Sequence, residues 1–290
     1  MMISIDTPIA FLGMGLMGSR MSLRLLQAGF KVAVWNRNPN ACLPLLDAGA
    51  IALDLANIAQ YPIVMLCLAD DNAVQSVVQQ ISSYLHPQQI CIDFSSLSVQ
   101  ATQEIAAQLQ HKQVTWIDSP VSGGTLGAEQ GTLVVFAGGD KALIDTLQPI
   151  YAPLAQRVTC MGSVGAGQAT KICNQLIVAA SSTLIAEAVA LAKQAGVDAR
   201  LLAPALADGF ADSKPFQILA PRMATTTFEP VQWKVQTLSK DLNNAVALSE
   251  QVKITLPMAQ HALLQLEQHQ QQGYAEQDLS TVILNIKPSH

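Results

Sequence analysis

The sequence predicts an α/β fold: a doubly wound sheet over residues 1–163, then an all-α C-terminal domain over residues 164–290, joined by a long interdomain helix. Three observations carry this reading. Ahead of Gly162, short continuous apolar runs alternate with glycine turns, the pattern of buried parallel strands linked by helices. Beyond Gln175, helical periodicity dominates. Between them the stretch GSVGAGQATKICNQ places Gly162, Gly165 and Gly167 at the entry of a helix. That helix is expected to begin near Ala166 or Gln168 and to run to Gln194, with Gly196 as its C-cap. A chain of 290 residues suits two domains of about 100–200 residues each.

The first element is a strand at Ile9–Leu12, ended by Gly13-Met14-Gly15-Leu16-Met17-Gly18 and followed by an amphipathic stretch from Met21 to Ala28. The spacing is G-x-G-x-x-G. Its first glycine permits the tight turn, the second lets a pyrophosphate approach the backbone, and the third lets helix pack on strand. Phosphate would sit on the helix N-terminus, so the whole loop is a predicted dinucleotide cradle in a Rossmann-like domain. The second strand, Lys31–Trp35, leads into Asn36-Arg37-Asn38, where an NAD-specific site usually carries Asp or Glu. With no carboxylate to repel a 2′-phosphate and a guanidinium able to bind it, NADP(H) is favoured over NAD(H).

Further strands are predicted at Ile63–Leu68 and Gln89–Asp93, separated by a helix from Asn72 to Leu85. Leu68, Ala69, Asp70 and Asp71 lie at the carboxyl end of one, and Ser95 and Ser96 at that of the other, the edge where ligands collect in such sheets. Asp70 and Asp71 are read mainly as helix caps. A strand at Val114–Ile117 enters Asp118-Ser119-Pro120-Val121-Ser122-Gly123-Gly124; Ser122, Gly123 and Gly124 offer a hydroxyl and two unshielded amides to a small anion. Thr132–Ala137 forms the next strand. In the interdomain helix Lys171, Asn174 and Gln175 stand at i, i+3 and i+4, which puts an ammonium and two carboxamides together. Its opposite face is read as Ile172, Leu176, Ile177, Ala180, Leu184 and Val189. Four more amphipathic stretches follow, around Arg200–Leu206, Phe216–Met223, Val235–Val252 and Met258–Gln270, with Lys240-Asp241 read as the start of a good helix.

Composition narrows the partners. Charged residues are 13% against about 25% typically, hydrophobic residues 50%, and the mean hydropathy is +0.29, so a large subunit interface is expected. A net charge of −5 and a pI near 5.5, with no Lys/Arg cluster, argue against nucleic-acid and anionic-membrane surfaces and for small molecules. Five cysteines without a CxxC pair give neither a disulfide framework nor a metal site, and Cys67 and Cys91 fall in predicted buried strands. The five histidines show no HxxxH or HxH pattern, so no metal is predicted. The start lacks the basic region of a signal peptide. The longest membrane-span candidate, Ile172–Ala186, is shorter than the roughly 20 residues required and contains Asn174 and Gln175. A cytoplasmic protein is expected.

Four ordered motifs, FLGMGLMG at 11–18, DSPVSGGTLGAEQGTL at 118–133, GAGQATKICNQ at 165–175 and KDLNNA at 240–245, make the chain resemble the β-hydroxyacid dehydrogenase family over nearly its whole length. That family includes 3-hydroxyisobutyrate dehydrogenases, tartronate semialdehyde reductases and glyoxylate/succinic semialdehyde reductases. The resemblance implies that Lys171 is the catalytic lysine, that Ser122, Gly123 and Gly124 hold the substrate carboxylate, and that Asn174 and Gln175 contact substrate. It also implies that Ser96 and Lys240 contact the cofactor, and that the protein is a homodimer or homotetramer. The Asn-Gln pair resembles the tartronate semialdehyde reductase branch, whereas Asn36-Arg37-Asn38 resembles the NADPH-using glyoxylate and succinic semialdehyde reductases.

The implied reaction is hydride transfer between NADPH and a small carboxylate-bearing aldehyde or β-hydroxyacid. Lys171 would donate the proton, its pKa drawn toward working pH by burial and by Lys240. Three alternatives stay open: an NAD-dependent dehydrogenase of the 3-hydroxyisobutyrate type, an imine reductase, which commonly lacks the lysine, and a non-catalytic NADP-binding module.

Overall fold

A computed structural model of the chain describes residues 3–287, which fall into two compact units divided between Lys171 and Ile172. The first unit begins β1 (Ile9–Leu12), α1 (Leu16–Gln27), β2 (Val32–Trp35), α2 (Leu43–Asp47), β3 (Ile51–Ala52), β4 (Ile63–Leu66) and α3 (Asp71–Ile81). It continues with β5 (Ile90–Asp93), α4 (Val99–Gln110), β6 (Thr115–Asp118), β7 (Val121–Ser122), α5 (Gly124–Gln130) and β8 (Leu133–Gly138). Two short helices, α6 (Lys141–Thr146) and α7 (Gln148–Tyr151), precede β9 (Ala155–Gly162).

The strands form one sheet in the order β3-β2-β1-β4-β5-β6-β8-β7, with β9 paired to β8. β1 to β6 run parallel, β8 runs antiparallel to β6 and β7, and β9 returns parallel to β8. β1 and β4 are buried along their whole length. Ile9 and Phe11 enter the core on one face, Ala10 and Leu12 the core on the other. Two covered faces explain why these strands read as unbroken apolar runs instead of alternating ones. Because β2 and β4 flank β1 on opposite sides, the chain reverses its winding direction there. Ligands of such sheets collect at the carboxyl ends of the strands beside that reversal.

The interdomain helix is α8 (Ala166–Gln194), and the division between the two units falls within it, after Lys171. Gly196 follows at φ +80, a left-handed conformation that suits glycine beyond a helix end. The second unit adds α9 (Leu202–Leu206), α10 (Lys214–Thr225), α11 (Val235–Gln251) and α12 (Pro257–His269), with no extended strand among the described residues. Of the inner face expected from Leu242, Ala245, Val246 and Leu248 in α11, Leu242 and Ala245 are buried and Val246 and Leu248 only half-buried.

Several boundaries differ from the sequence reading. α1 starts at Leu16, directly on the glycine loop, and α3 stops at Ile81. Lys240 and Asp241 do not begin a helix but lie in the second turn of α11. The apolar face assigned to α8 is also corrected. Ile172 and Val189 are buried, but Ile177 and Leu184 are 62% and 63% exposed, and Ala179, Ile185 and Ala186 take the inner positions. A helix that is apolar nearly all round does not define its own inner face. The length argument against a membrane span fails as well, since α8 has 29 residues and an 18-residue window apolar enough to cross a bilayer. Only 39% of that window is buried inside the structure.

Candidate active site

The glycine loop after β1 is shaped by three different constraints. Gly13 has φ +105, and a Cβ there would lie 2.3 Å from the Cys67 carbonyl oxygen. A Cβ at Gly18 would lie 1.9 Å from the Gly13 carbonyl oxygen, so strand, turn and helix touch backbone to backbone. At Gly15 nothing lies within 4 Å, leaving open space in front of the peptide. α1 has no side-chain N-cap and no acidic residue in its first turn. Its N-terminal N–H groups thus face that opening with no side chain to satisfy them, which fits a dinucleotide pyrophosphate. Within the loop Leu16 is 72% exposed and Met17 is partly buried against the core. Met14 is buried, and its N–H donates to Asn36 Oδ1 at 3.0 Å.

Asn36 acts as a brace at the end of β2. Its Oδ1 accepts from Met14 and its Nδ2 donates to the Asn38 carbonyl at 2.9 Å. Asn38 in turn caps the following helical turn by accepting from the Asn40 N–H at 3.2 Å. Between them Arg37 is exposed and pairs with no described residue. Two of the three residues expected to read the ribose are therefore occupied in shaping the loop, while the guanidinium stands in solvent.

The carboxyl ends of β4, β5 and β6 form the next part. The Leu68 N–H donates to Ser95 Oγ at 2.9 Å. Asp70 caps α3 by accepting from the Ala73 N–H, as expected, but Asp71 instead accepts from the N–H and hydroxyl of Ser98. Asp93 and Asp118 are register partners on β5 and β6, and both side chains are buried. Burial pushes the Asp93 carboxyl up to about 7, against the lowering effect of the Ser95 hydrogen bonds. Its Oδ2 has no hydrogen-bond partner among the described residues. Burial likewise raises Asp118, although its oxygens accept from the backbone N–H groups of Gly165 at 2.8 Å and Gln168 at 2.9 Å.

Ser122 closes β7 and is half-buried, paired opposite Val134 of β8. Gly123 and Gly124 have φ +127 and +62, conformations that only glycine adopts without strain, and they turn the chain into α5. Lys171 is half-buried in the second turn of α8, and Asn174 and Gln175 follow on the same helix. Asn174 Nδ2 donates to Gln175 Oε1 at 2.8 Å, and Gln175 Nε2 donates to Asp241 Oδ2 at 2.6 Å. Lys240 Nζ lies 3.9 Å from Asp241 Oδ1. Sequence reasoning chose Lys240 and missed Asp241, whose buried carboxylate organises this group. The signal available was its place in KDLNNA, one residue past the lysine.

Residues 8–162 match the family described as the NAD binding domain of 6-phosphogluconate dehydrogenase. Residues 165–286 match the family described as the NAD-binding of NADP-dependent 3-hydroxyisobutyrate dehydrogenase. The chain is 32% identical over 254 residues to 2-hydroxy-3-oxopropionate reductase of Escherichia coli (strain K12), covering 86% of each protein. It is 31% identical over 288 residues to glyoxylate/succinic semialdehyde reductase 1 of Arabidopsis thaliana, covering 96% of this chain and 98% of that one. Among solved structures, Mycobacterium tuberculosis 3-hydroxyisobutyrate dehydrogenase with L-serine superposes with a TM-score of 0.90 at 28% identity, covering 98% of this chain and 100% of that one. With a glycine cradle built for a dinucleotide and both halves matched in order, the chain belongs to the β-hydroxyacid dehydrogenase family of NAD(P)-dependent oxidoreductases acting on CH–OH groups.

Proposed function

We propose that this protein is an NADPH-dependent reductase of small aldehydes that carry a carboxylate, of the semialdehyde or glyoxylate type, with Lys171 as its proton donor. The observation that carries the reading is the succession of Lys171, Asn174 and Gln175 on one unbroken helix, in a chain whose relatives include a 2-hydroxy-3-oxopropionate reductase and a glyoxylate/succinic semialdehyde reductase. Bound NADPH supplies the hydride to the carbonyl carbon. As negative charge develops on the carbonyl oxygen, the Lys171 ammonium stabilises it and donates a proton to it; in the reverse direction the neutral amine takes the alcohol proton. Ser122, with the amides of Gly123 and Gly124, holds the carboxylate without itself changing charge. The M. tuberculosis relative solved with L-serine, a small hydroxyl-bearing carboxylate, supports that class of ligand. Gln175, tied at one end to Asp241 and at the other to Asn174, fixes the orientation of Asn174 toward substrate.

Arg37 supports NADPH over NADH, because it is the exposed cation at the end of β2 and no acidic residue accompanies it in Asn36-Arg37-Asn38. Ser96, Leu68, Ala69 and Lys240 complete the proposed cofactor contacts. The helical unit is the proposed subunit interface of a homodimer or homotetramer, since Ile177, Leu184 and Leu191, seven residues apart, are 62%, 63% and 71% exposed on α8. Lys171→Ala tests the chemistry. Turnover of succinic semialdehyde or glyoxylate should fall by about 10²–10⁴-fold with NADPH affinity nearly unchanged. Lys171→Arg should fail comparably, because a guanidinium does not release its proton. Near-normal kcat in a folded, NADPH-binding Lys171→Ala would remove the lysine from the mechanism.

A further inference from the structure

The polar groups at the head of α8 are bonded to the ends of two strands, and the reading of Lys171 as proton donor leaves them unused. Asp118 closes β6, and its carboxylate accepts from the Gly165 and Gln168 N–H groups, so a residue remote in sequence supplies what a local cap normally gives a helix. The approach is tight on both sides. A Cβ at Gly167 would lie 2.7 Å from Asp118 Oδ2 and 2.3 Å from the Phe136 carbonyl oxygen, and one at Gly138 would lie 2.4 Å from Asp118 Oδ1. Gln168 is fully buried and makes the second tie. Its Oε1 accepts from the Leu97 N–H at 3.1 Å, and its Nε2 donates to the Ser95 carbonyl at 2.8 Å. These two groups flank Ser96.

Two attachments act on different freedoms. The Asp118 carboxylate, on the helix end, fixes how far α8 sits from β6. The Gln168 side chain, reaching sideways to the loop after β5, fixes the rotation of α8 about its axis. Lys171 follows Gln168 by three residues, one helical turn on nearly the same side. The carboxamide therefore sets the angular position of Lys171 relative to Ser96, the residue expected beside the nicotinamide.

We propose that Asp118 and Gln168 are positioning residues for the hydride-transfer reaction, which hold the proton donor Lys171 and the cofactor contact Ser96 in one frame. The inference rests on the reading of Lys171 as proton donor. Neither residue touches the reacting atoms. A misplacement of about 1 Å at a reacting centre costs up to about 10²-fold in rate.

The test is Gln168→Met, which removes both hydrogen bonds at similar volume, assayed in the full-length protein with NADPH and succinic semialdehyde. The expected result is a fall in kcat on the order of 10- to 100-fold, with NADPH affinity within about threefold of wild type. Combining it with Lys171→Ala should abolish its effect, since a residue acting through Lys171 has nothing left to position. A folded Gln168→Met with normal kcat overturns the proposal, as does an equal fall in kcat on the Lys171→Ala background, which would mark a general structural role. If Gln168→Met does not fold, Asp118→Asn, which turns an amide toward an N–H that now finds a carboxylate, is carried through the same cycle and judged by the same two criteria. Lys171→Ala with normal kcat would instead sink the underlying lysine assignment, a result distinguishable from both.

Discussion

Replacing Asp93 by Asn should change how stability depends on pH in a window where ordinary carboxylates contribute nothing. The folded chain holds Asp93 fully buried at the end of β5, with one oxygen on the Ser95 N–H and the other unpartnered, and burial raises its pKa from 3.8 to about 7. The unfolded chain releases this proton near 3.8, whereas the folded one keeps it until about 7. Stability contributed by the protonated side chain is thus complete below pH 3.8 and is lost as pH rises toward 7. The slope is about 1.4 kcal/mol per pH unit, and over roughly three units the loss reaches at most about 4 kcal/mol. Asn carries no proton to lose. In urea unfolding followed by tryptophan fluorescence at pH 5 to 8, the stability of wild type minus that of Asp93→Asn should fall by about 1.4 kcal/mol per unit up to pH 7 and then level off. Taking the difference cancels the other titrating groups, apart from a small change at neighbouring Asp118. Parallel curves across this range would refute a protonated Asp93.

Arg37→Asp should lower kcat/KM with NADPH by about tenfold or more, since a charge-assisted hydrogen bond is worth roughly 1.5–3 kcal/mol, and should leave or improve use of NADH. An unchanged ratio of the two efficiencies would place the 2′-phosphate elsewhere. Gly18→Ala drives a Cβ to 1.9 Å from the Gly13 carbonyl oxygen and should lower the melting temperature by several degrees or prevent folding. Gly15→Ala meets nothing within 4 Å and should melt like wild type while losing the stabilisation that added NADPH gives. Melting curves with and without NADPH decide both.

Most of the architecture was legible because it rests on local patterns. The apolar runs at β1, β4 and β5 and the glycine spacing at 13–18 are short-range features, as is the Gly196 stop to α8. What escaped were facts set by contacts remote in sequence. Ile177 and Leu184 carry the same apolarity as Ile172, and only packing tells which of them turns inward. Asn36 read as a ribose contact because one of its amide partners, Met14, becomes a neighbour only when β1 and β2 pair. Asp118 and Gln168 were visible as letters in two motifs, yet nothing in either motif says that one caps the other. Asp241 was overlooked beside a lysine, since a carboxylate two turns from any cap looks like an ordinary surface residue until Gln175 is found against it.

On the proposed NADPH reading, the Asn36 brace bears on any redesign of the chain toward NADH. The obvious exchange, Asn36→Asp, imports the acidic residue that NAD-specific sheets carry, and it keeps an acceptor for the Met14 N–H. It also discards the donor to the Asn38 carbonyl and sets two oxygens against each other at 2.9 Å, the distance that the amide now spans. The turn that displays Arg37 would then have to reshape, and with it the loop expected to seat the pyrophosphate, so a variant built to alter selectivity would lose affinity for both nucleotides. If Arg37 reads the 2′-phosphate as proposed, selectivity and cradle are mechanically joined at residue 36 and separable at residue 37. A library aimed at cofactor exchange is better started from Arg37, with Asn36 held fixed.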